Sequence, residues 1–172
     1  MREIFKNLRV SNFPKNFLIL FPLILSGNFD IEIHQNTILK SLFIFFIITS
    51  ACYLINDFSD QKRDRENKLK KNPNLSKKKF LNYLISLVCI LFTSLIFFDQ
   101  SYNYFLYLYI LNFFVYNYFG KNFKFLDILL LTNFYLIRIL YGIQVFKLDV
   151  SIGFILFAFI VNKVIIYIVK IN

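Results

Sequence analysis

Ser50-Ala51-Cys52-Tyr53-Leu54-Ile55-Asn56-Asp57-Phe58-Ser59-Asp60-Gln61-Lys62-Arg63-Asp64 is the stretch on which the fold turns. An apolar run that starts at Ile38 ends in it, and carboxylates follow at once. Asp57, Asp60 and Asp64 are spaced three and four apart, so on a helix they share one face. Asn56, Asp60 and Asp64 form a second stripe at four-residue spacing. Stacked carboxylates repel unless a cation lies between them. Mg²⁺ takes oxygen ligands, keeps several waters and is held by one or two carboxylates plus substrate phosphates. A carboxylate-rich helix end beside a basic loop therefore suits a Mg²⁺–diphosphate group. The alternative is a solvated helix end with local salt bridges to Lys62, Arg63 and Arg65. The position favours function, because charge at a membrane boundary is costly.

The rest of the chain supports a membrane setting. It has 172 residues, 58% hydrophobic and only 17% charged, with 24 Phe and 11 Tyr. The mean hydropathy is +0.57. A soluble domain is about 45–50% apolar, so the composition argues against a water-exposed monomer and rules out disorder. The abundance of Phe, Ile, Asn, Lys and Tyr is a bias of the whole chain, so no single ring is assigned a stacking role. The two cysteines, Cys52 and Cys89, lie inside apolar runs and read as small buried hydrophobes, not a disulfide scaffold. His34 reads as a solvated residue in an external loop.

Six apolar segments are predicted as spans: Phe13–Asn28, Ile38–Phe58, Phe80–Phe98, Tyr102–Phe119, Phe125–Phe146 and Val150–Val169. A bilayer core of about 30 Å needs about 20 helical residues. The first segment is short and carries Pro14 and Pro22, so a kink is expected there. No small-residue cleavage site follows it, which argues against a signal peptide. Basic residues collect in the N-terminal arm (Arg2, Lys6, Arg9, Lys15), after span two (Lys62 to Lys79) and after span four (Lys121, Lys124). The alternate loops hold only Lys40 and Lys147 beside acidic residues. The positive-inside rule then places the N-terminus and loop 59–79 in the cytoplasm. The net charge of +10 reads as orientation and attraction to anionic lipid, not nucleic-acid binding.

A second group of polar residues lies in span five. Arg138 follows Asp127 by eleven residues, nearly three helical turns, so both point the same way. An Arg inside a span tends to face a water-filled cavity or an ionic partner, and its fork suits a phosphate. The alternatives are a structural pair with Asp127 or a bond to a helix carbonyl.

Asn56-Asp57-x-x-Asp60-x-x-x-Asp64 after Ser50-Ala51-Cys52-Tyr53-Leu54-Ile55 resembles the first aspartate-rich motif of the UbiA superfamily of intramembrane prenyltransferases. Leu8-Arg9 with Pro14-Lys15-Asn16-Phe17 and Phe21-Pro22-Leu23 resembles the start of the first helix in its decaprenyl-phosphate phosphoribosyltransferase-like branch. Tyr116-Asn117-Tyr118-Phe119-Gly120-Lys121, Leu126-Asp127 and Leu136-Ile137-Arg138-Ile139-Leu140-Tyr141-Gly142 are similar to the second conserved region of that branch. The resemblance covers roughly Leu8 to Lys163. It departs at Asn67-Lys68 and Pro73-Asn74, where the family has His-Pro and Arg-Pro pairs. Lys70-Lys71 is kept, and the match fades after Lys163.

The resemblance implies a single all-α domain over residues 1–172, a polytopic transmembrane helix bundle with about six spans of a nine-span family fold and without its last three helices. It implies a cytoplasmic-membrane transferase that moves phosphoribosyl from phosphoribosyl diphosphate to a polyprenyl phosphate, with Mg²⁺ as cofactor. Asn56, Asp57, Asp60 and Asp64 would serve the metal, and Asp60, Asp64 and Asp127 the catalysis. Lys15, Lys70, Lys71, Lys121 and Arg138 would bind phosphate. An aromatic-acceptor (4-hydroxybenzoate-type) polyprenyltransferase and an inactive truncated membrane protein are the alternatives. An oligomer or a missing C-terminal half would complete the bundle. No Ser-His-Asp or Cys-His set suggests nucleophilic hydrolysis.

Overall fold

The computed structural model describes residues 8–27, 31–61, 76–97 and 103–171. The regular structure in them is helical, with no strand among the described residues. The α-helices are α1 (Phe21–Leu25), α2 (Ile31–Ser59), α3 (Lys77–Phe97), α4 (Asn103–Tyr118), α5 (Lys124–Val145) and α6 (Ile152–Ile171). Two 3₁₀ helices, Val10–Ile19 and Gly120–Asn122, precede α1 and α5.

The first predicted span is broken, and its prolines explain how. Pro14 lies inside the 3₁₀ helix Val10–Ile19, and Pro22 occupies the first turn of α1, where its missing N–H costs nothing. The amide of Leu20 donates to the Phe17 carbonyl at 2.9 Å, an i→i−3 bond of 3₁₀ type. Ser26 ends α1, its hydroxyl donating to Leu23 O at 2.8 Å. The second predicted span starts earlier than its apolar run, at Ile31. His34 is therefore not a loop residue: it is half-buried on α2, and its ring meets Phe146 edge-on at 5.6 Å. Ser76 caps α3 as expected of a Ser before an apolar run, accepting from the Lys79 amide at 3.4 Å. Ser151 does the same for Phe154 at the start of α6, at 3.2 Å. Cys52 is buried, but Cys89 is exposed on α3, against the expectation that both are buried.

The chain divides into two compact units. In the first (residues 1–15 and 43–100), the later part of α2 packs on α3 through Ile47, Leu54 and Leu87, with Leu8, Phe46, Phe80 and Tyr83 around them. Phe58 stacks on Phe80 with centroids 4.1 Å apart, and Phe13 meets Phe46 edge-on at 5.6 Å.

In the second unit (residues 16–42 and 101–172), α5 is central and packs against α1, α4 and α6. Asn112 on α4 donates to the Leu130 carbonyl of α5 at 3.0 Å, a buried bond that sets the two helices in register. Phe21 stacks with Phe154 at 6.3 Å. The tightest approach is at Gly142: a Cβ there would lie 2.0 Å from the carbonyl oxygen of Ile19. Only a glycine lets the two backbones come this close.

Among the described residues two helices are long and apolar enough to cross a membrane, His34–Ser59 and Lys124–Val145, and Ile152–Ile168 is a shorter apolar helix. Large apolar side chains are exposed on α3 (Ile85, Val88, Phe92) and on α6 (Leu156, Phe157, Ile160, Val164).

Gly142→Ala should lower the thermal unfolding midpoint of the detergent-solubilised chain, by an equivalent of about 1–3 kcal/mol or more. The clash is with backbone, which no rotamer change relieves. Gly153→Ala is the control, since a Cβ there meets nothing closer than 3.7 Å. Equal midpoints for the Gly142 variant and wild type would contradict the close approach.

Candidate functional site

The aspartate-rich motif falls at the C-terminal end of α2, where the helix's last carbonyls carry partial negative charge. Asn56 O accepts both the Ser59 hydroxyl and the Asp60 amide at 2.9 Å, which closes the final turn. The last turn contains no basic residue. Carboxylates here are at the wrong end of the helix dipole, so each calls for a cation from elsewhere in the chain or from solution. Asn56 and Asp60 are half-buried and Asp57 is buried.

For Asp57 the cation is Arg9, 48 residues away in sequence. Nε of Arg9 donates to one carboxylate oxygen of Asp57 at 2.8 Å, and Nη2 donates to the other. The guanidinium also lies 5.5 Å from the ring centroid of Tyr53, one turn earlier on α2. Ser50, another turn back, donates its hydroxyl to the Leu8 carbonyl at 3.2 Å. Ser50, Tyr53 and Asp57 thus form one stripe of α2 that holds the Leu8-Arg9 segment along it. Arg9 has φ +47°, a conformation that costs a non-glycine residue about 1–2 kcal/mol. A partly exposed ion pair contributes only about 0–1 kcal/mol. The pair persists because the ring contact and the Ser50 bond hold the same segment.

This changes the part assigned to Asp57. Both its oxygens accept from a protein guanidinium, so its charge is neutralised within the chain and it does not fit a metal ligand in this arrangement. Asn56 and Asp60, one turn apart, fit the mode in which Mg²⁺ takes one or two protein oxygens and completes its shell with water and phosphate. Among the described residues, no group of three or more His, Cys, Asp or Glu is placed to hold a metal. Asp64, Lys70 and Lys71 lie outside the described residues. Lys15 is exposed on the first 3₁₀ helix. Nothing local in the sequence ties Arg9 to Asp57, 48 residues away.

The second unit holds Lys121, Asp127 and Arg138. Asp127 is half-buried in the first turn of α5, its amide bonded to Phe123 O at 2.9 Å. A carboxylate at that end is favoured by the helix dipole without any ligand. Lys121 is half-buried, with Nζ 5.8 Å from the Tyr116 ring centroid. Arg138 is 3% exposed. Its Nη2 donates to the Tyr109 hydroxyl at 2.8 Å, Nη1 to the Phe134 carbonyl at 2.8 Å, and Nε to Asn16 Oδ1 at 3.1 Å. The rings of Tyr109 and Tyr135 lie 5.0 and 5.8 Å from its Cζ.

Arg138 therefore differs from expectation. It pairs with no carboxylate among the described residues; eleven residues of helix rise by about 16 Å, which puts Asp127 out of reach. Three neutral oxygens and two aromatic faces take up the guanidinium instead. These bonds link α5 to the 3₁₀ helix through Asn16 and to α4 through Tyr109. The helix-carbonyl alternative is the one that the geometry matches. No protein-family model matches the chain, and no curated protein matches it.

Tyr109→Phe should lower the unfolding midpoint by an equivalent of about 1–2 kcal/mol, because Arg138 then has a buried donor without its acceptor. Arg138→Lys should cost more, since one ammonium cannot span three acceptors. Unchanged midpoints for both variants in thermal melts would contradict this joining role.

Proposed function

We propose that the chain is a polytopic cytoplasmic-membrane protein with six spans, and that the carboxylate end of α2 binds a phosphorylated soluble donor with Mg²⁺. The donor would be phosphoribosyl diphosphate and the acceptor a polyprenyl phosphate in the cytoplasmic leaflet. The observation that carries this reading is the motif Asn56-Asp57-x-x-Asp60-x-x-x-Asp64 at the end of a helix long and apolar enough to cross a membrane. The resemblance of that motif and of the Lys121–Gly142 region to the UbiA superfamily supplies the reaction class. The exposed apolar faces of α3 and α6 support a lipid setting.

In this reading Asn56, Asp60 and Asp64 hold Mg²⁺, which when bound would offset the charge of the diphosphate group. Lys15, Lys70, Lys71 and Lys121 are the basic residues that the resemblance assigns to the phosphates. The lipid phosphate oxygen forms the new bond to the anomeric carbon of the donor as the bond to diphosphate breaks. The protein contributes positioning and electrostatic stabilisation of the leaving group, not a covalent intermediate. Apolar helices accommodate the isoprenoid tail. Asp127, at the start of α5, is the further carboxylate that the resemblance assigns to the catalysis. The N-terminus and the loop from Ser59 to Lys79 face the cytoplasm, as the distribution of basic residues requires.

Membranes containing the chain, supplied with polyprenyl phosphate, Mg²⁺ and labelled phosphoribosyl diphosphate, should transfer label into the lipid fraction. Asp60→Asn should reduce that transfer about a hundredfold or more. Full transfer by this variant, or in the presence of chelator, would overturn the site.

The topology has its own check. A cysteine introduced at Lys70 in a chain without Cys52 and Cys89 should react with an impermeant thiol reagent only after the cells are opened. Labelling in intact cells would reverse the orientation and remove the site from the cytoplasmic donor.

A further inference from the structure

We infer that Arg9 is an anion-binding residue at the end of α2, with Asp57 as the residue that positions it. The inference rests on the reading that this helix end receives a phosphorylated ligand, and it adds a contact for that ligand's phosphate oxygens.

A guanidinium has two edges that can each meet an oxyanion in two parallel hydrogen bonds. Asp57 takes the edge made by Nε and Nη2. The outer edge, made by Nη1 and the second hydrogen of Nη2, is left over. Among the described residues Nη1 donates to no acceptor, and the Arg9 side chain is 32% exposed while that of Asp57 is 10% exposed. The carboxylate is thus the buried anchor and the guanidinium the accessible group. Tyr53 supports its plane from the side. Left-handed backbone at Arg9 (φ +47°) fixes the direction in which the side chain leaves the chain. Strained backbone of this kind persists where neighbouring structure over-determines it, and it collects at ligand sites.

Two features separate this arrangement from a salt bridge that merely ties down the N-terminal arm. The Ser50 bond to Leu8 and the Phe13–Phe46 contact already fix the arm to α2. An anchor also has no need of a fork with one edge left open. Lys in place of Arg9 would keep the charge and lose the second edge. Asp57 lies next to Asn56 and one turn before Asp60, so the outer edge of Arg9 belongs to the same helix end as the proposed metal ligands. An oxyanion there would meet a planar cation at the helix end that carries Asn56 and Asp60. The ligand chemistry is a phosphate oxyanion, from either the soluble diphosphate or the lipid headgroup.

The test uses the full chain in lipid nanodiscs with Mg²⁺. Inorganic diphosphate is titrated by calorimetry in one arm, and polyprenyl monophosphate is scored by native mass spectrometry in the other. The decisive variant is the double change Arg9→Gln with Asp57→Asn, which swaps the ion pair for a neutral amide pair and leaves no buried lone charge. A thermal melt close to wild type establishes that it folds. Its affinity for one of the two ligands should fall about tenfold or more. Loss confined to diphosphate assigns the outer edge to the soluble donor, and loss confined to the lipid assigns it to the headgroup. Arg9→Lys should weaken the same ligand, because charge without the fork does not suffice. Wild-type affinity for both ligands in the double variant and in Arg9→Lys would overturn the role of Arg9 while leaving the Asp60 reading intact. Absence of both ligands from the wild-type chain would overturn the two together.

Discussion

Carboxylates at the C-terminal end of a long apolar helix meet the negative end of that helix's own dipole, close to a region where unpaired charge is costly. The arrangement at the end of α2 depends on that constraint. Asp57 is satisfied from within, by a guanidinium brought from the start of the chain. Holding Arg9 there requires the Ser50 bond, the Tyr53 ring and a left-handed backbone residue. The residues around the motif are thereby accounted for as supports for one ion pair. Asn56 and Asp60, half-buried one turn apart, are the oxygen-bearing residues to which the proposal assigns Mg²⁺.

The second unit solves the opposite problem, a cation in the interior, by different means. Arg138 is surrounded by a phenol, an amide and a helix carbonyl, all neutral, with two aromatic faces nearby. Hydrogen bonds to a charged donor are stronger than neutral ones, and two of them, to Asn16 and Tyr109, tie the 3₁₀ helix and α4 to α5. Gly142, one turn further along α5, lets the same 3₁₀ helix approach to backbone contact at Ile19. The two residues belong to one packing arrangement. Arg138 in this arrangement is part of the packing of the second unit.

Helix positions were legible in the sequence wherever an apolar run had clear punctuation. Ser76 marks the start of α3, and the Asn56-Asp57 step marks the end of α2. The start of α2 was hidden because Gln35, Asn36 and Thr37 are polar residues in helical conformation, which hydropathy alone excludes from a span. Pro14 and Pro22 announced a break near the N-terminus, but not that ten residues there would form a 3₁₀ helix. Within the site, the spacing of the carboxylates was readable because it is local. The pairing of Arg9 with Asp57 was not, since 48 residues separate them and no periodicity connects them. The partners of Arg138 are hidden for a related reason: Tyr109 and Asn16 lie on other segments, and neutral oxygens leave no charge pattern to find.

Metal binding at the α2 end can be observed directly by electron paramagnetic resonance, with Mn²⁺ in place of Mg²⁺ and the purified chain in nanodiscs. Phosphoribosyl diphosphate should recruit Mn²⁺ to the protein in a saturable way, with Mg²⁺ competing for it. Asp60→Asn should abolish the bound signal, while an asparagine at Asp57 should leave the metal in place. A Mn²⁺ spectrum identical to that of the free Mn²⁺–donor complex would contradict the site. Loss of the metal with the Asp57 change, and not with the Asp60 change, would show that the ligand assignment is reversed.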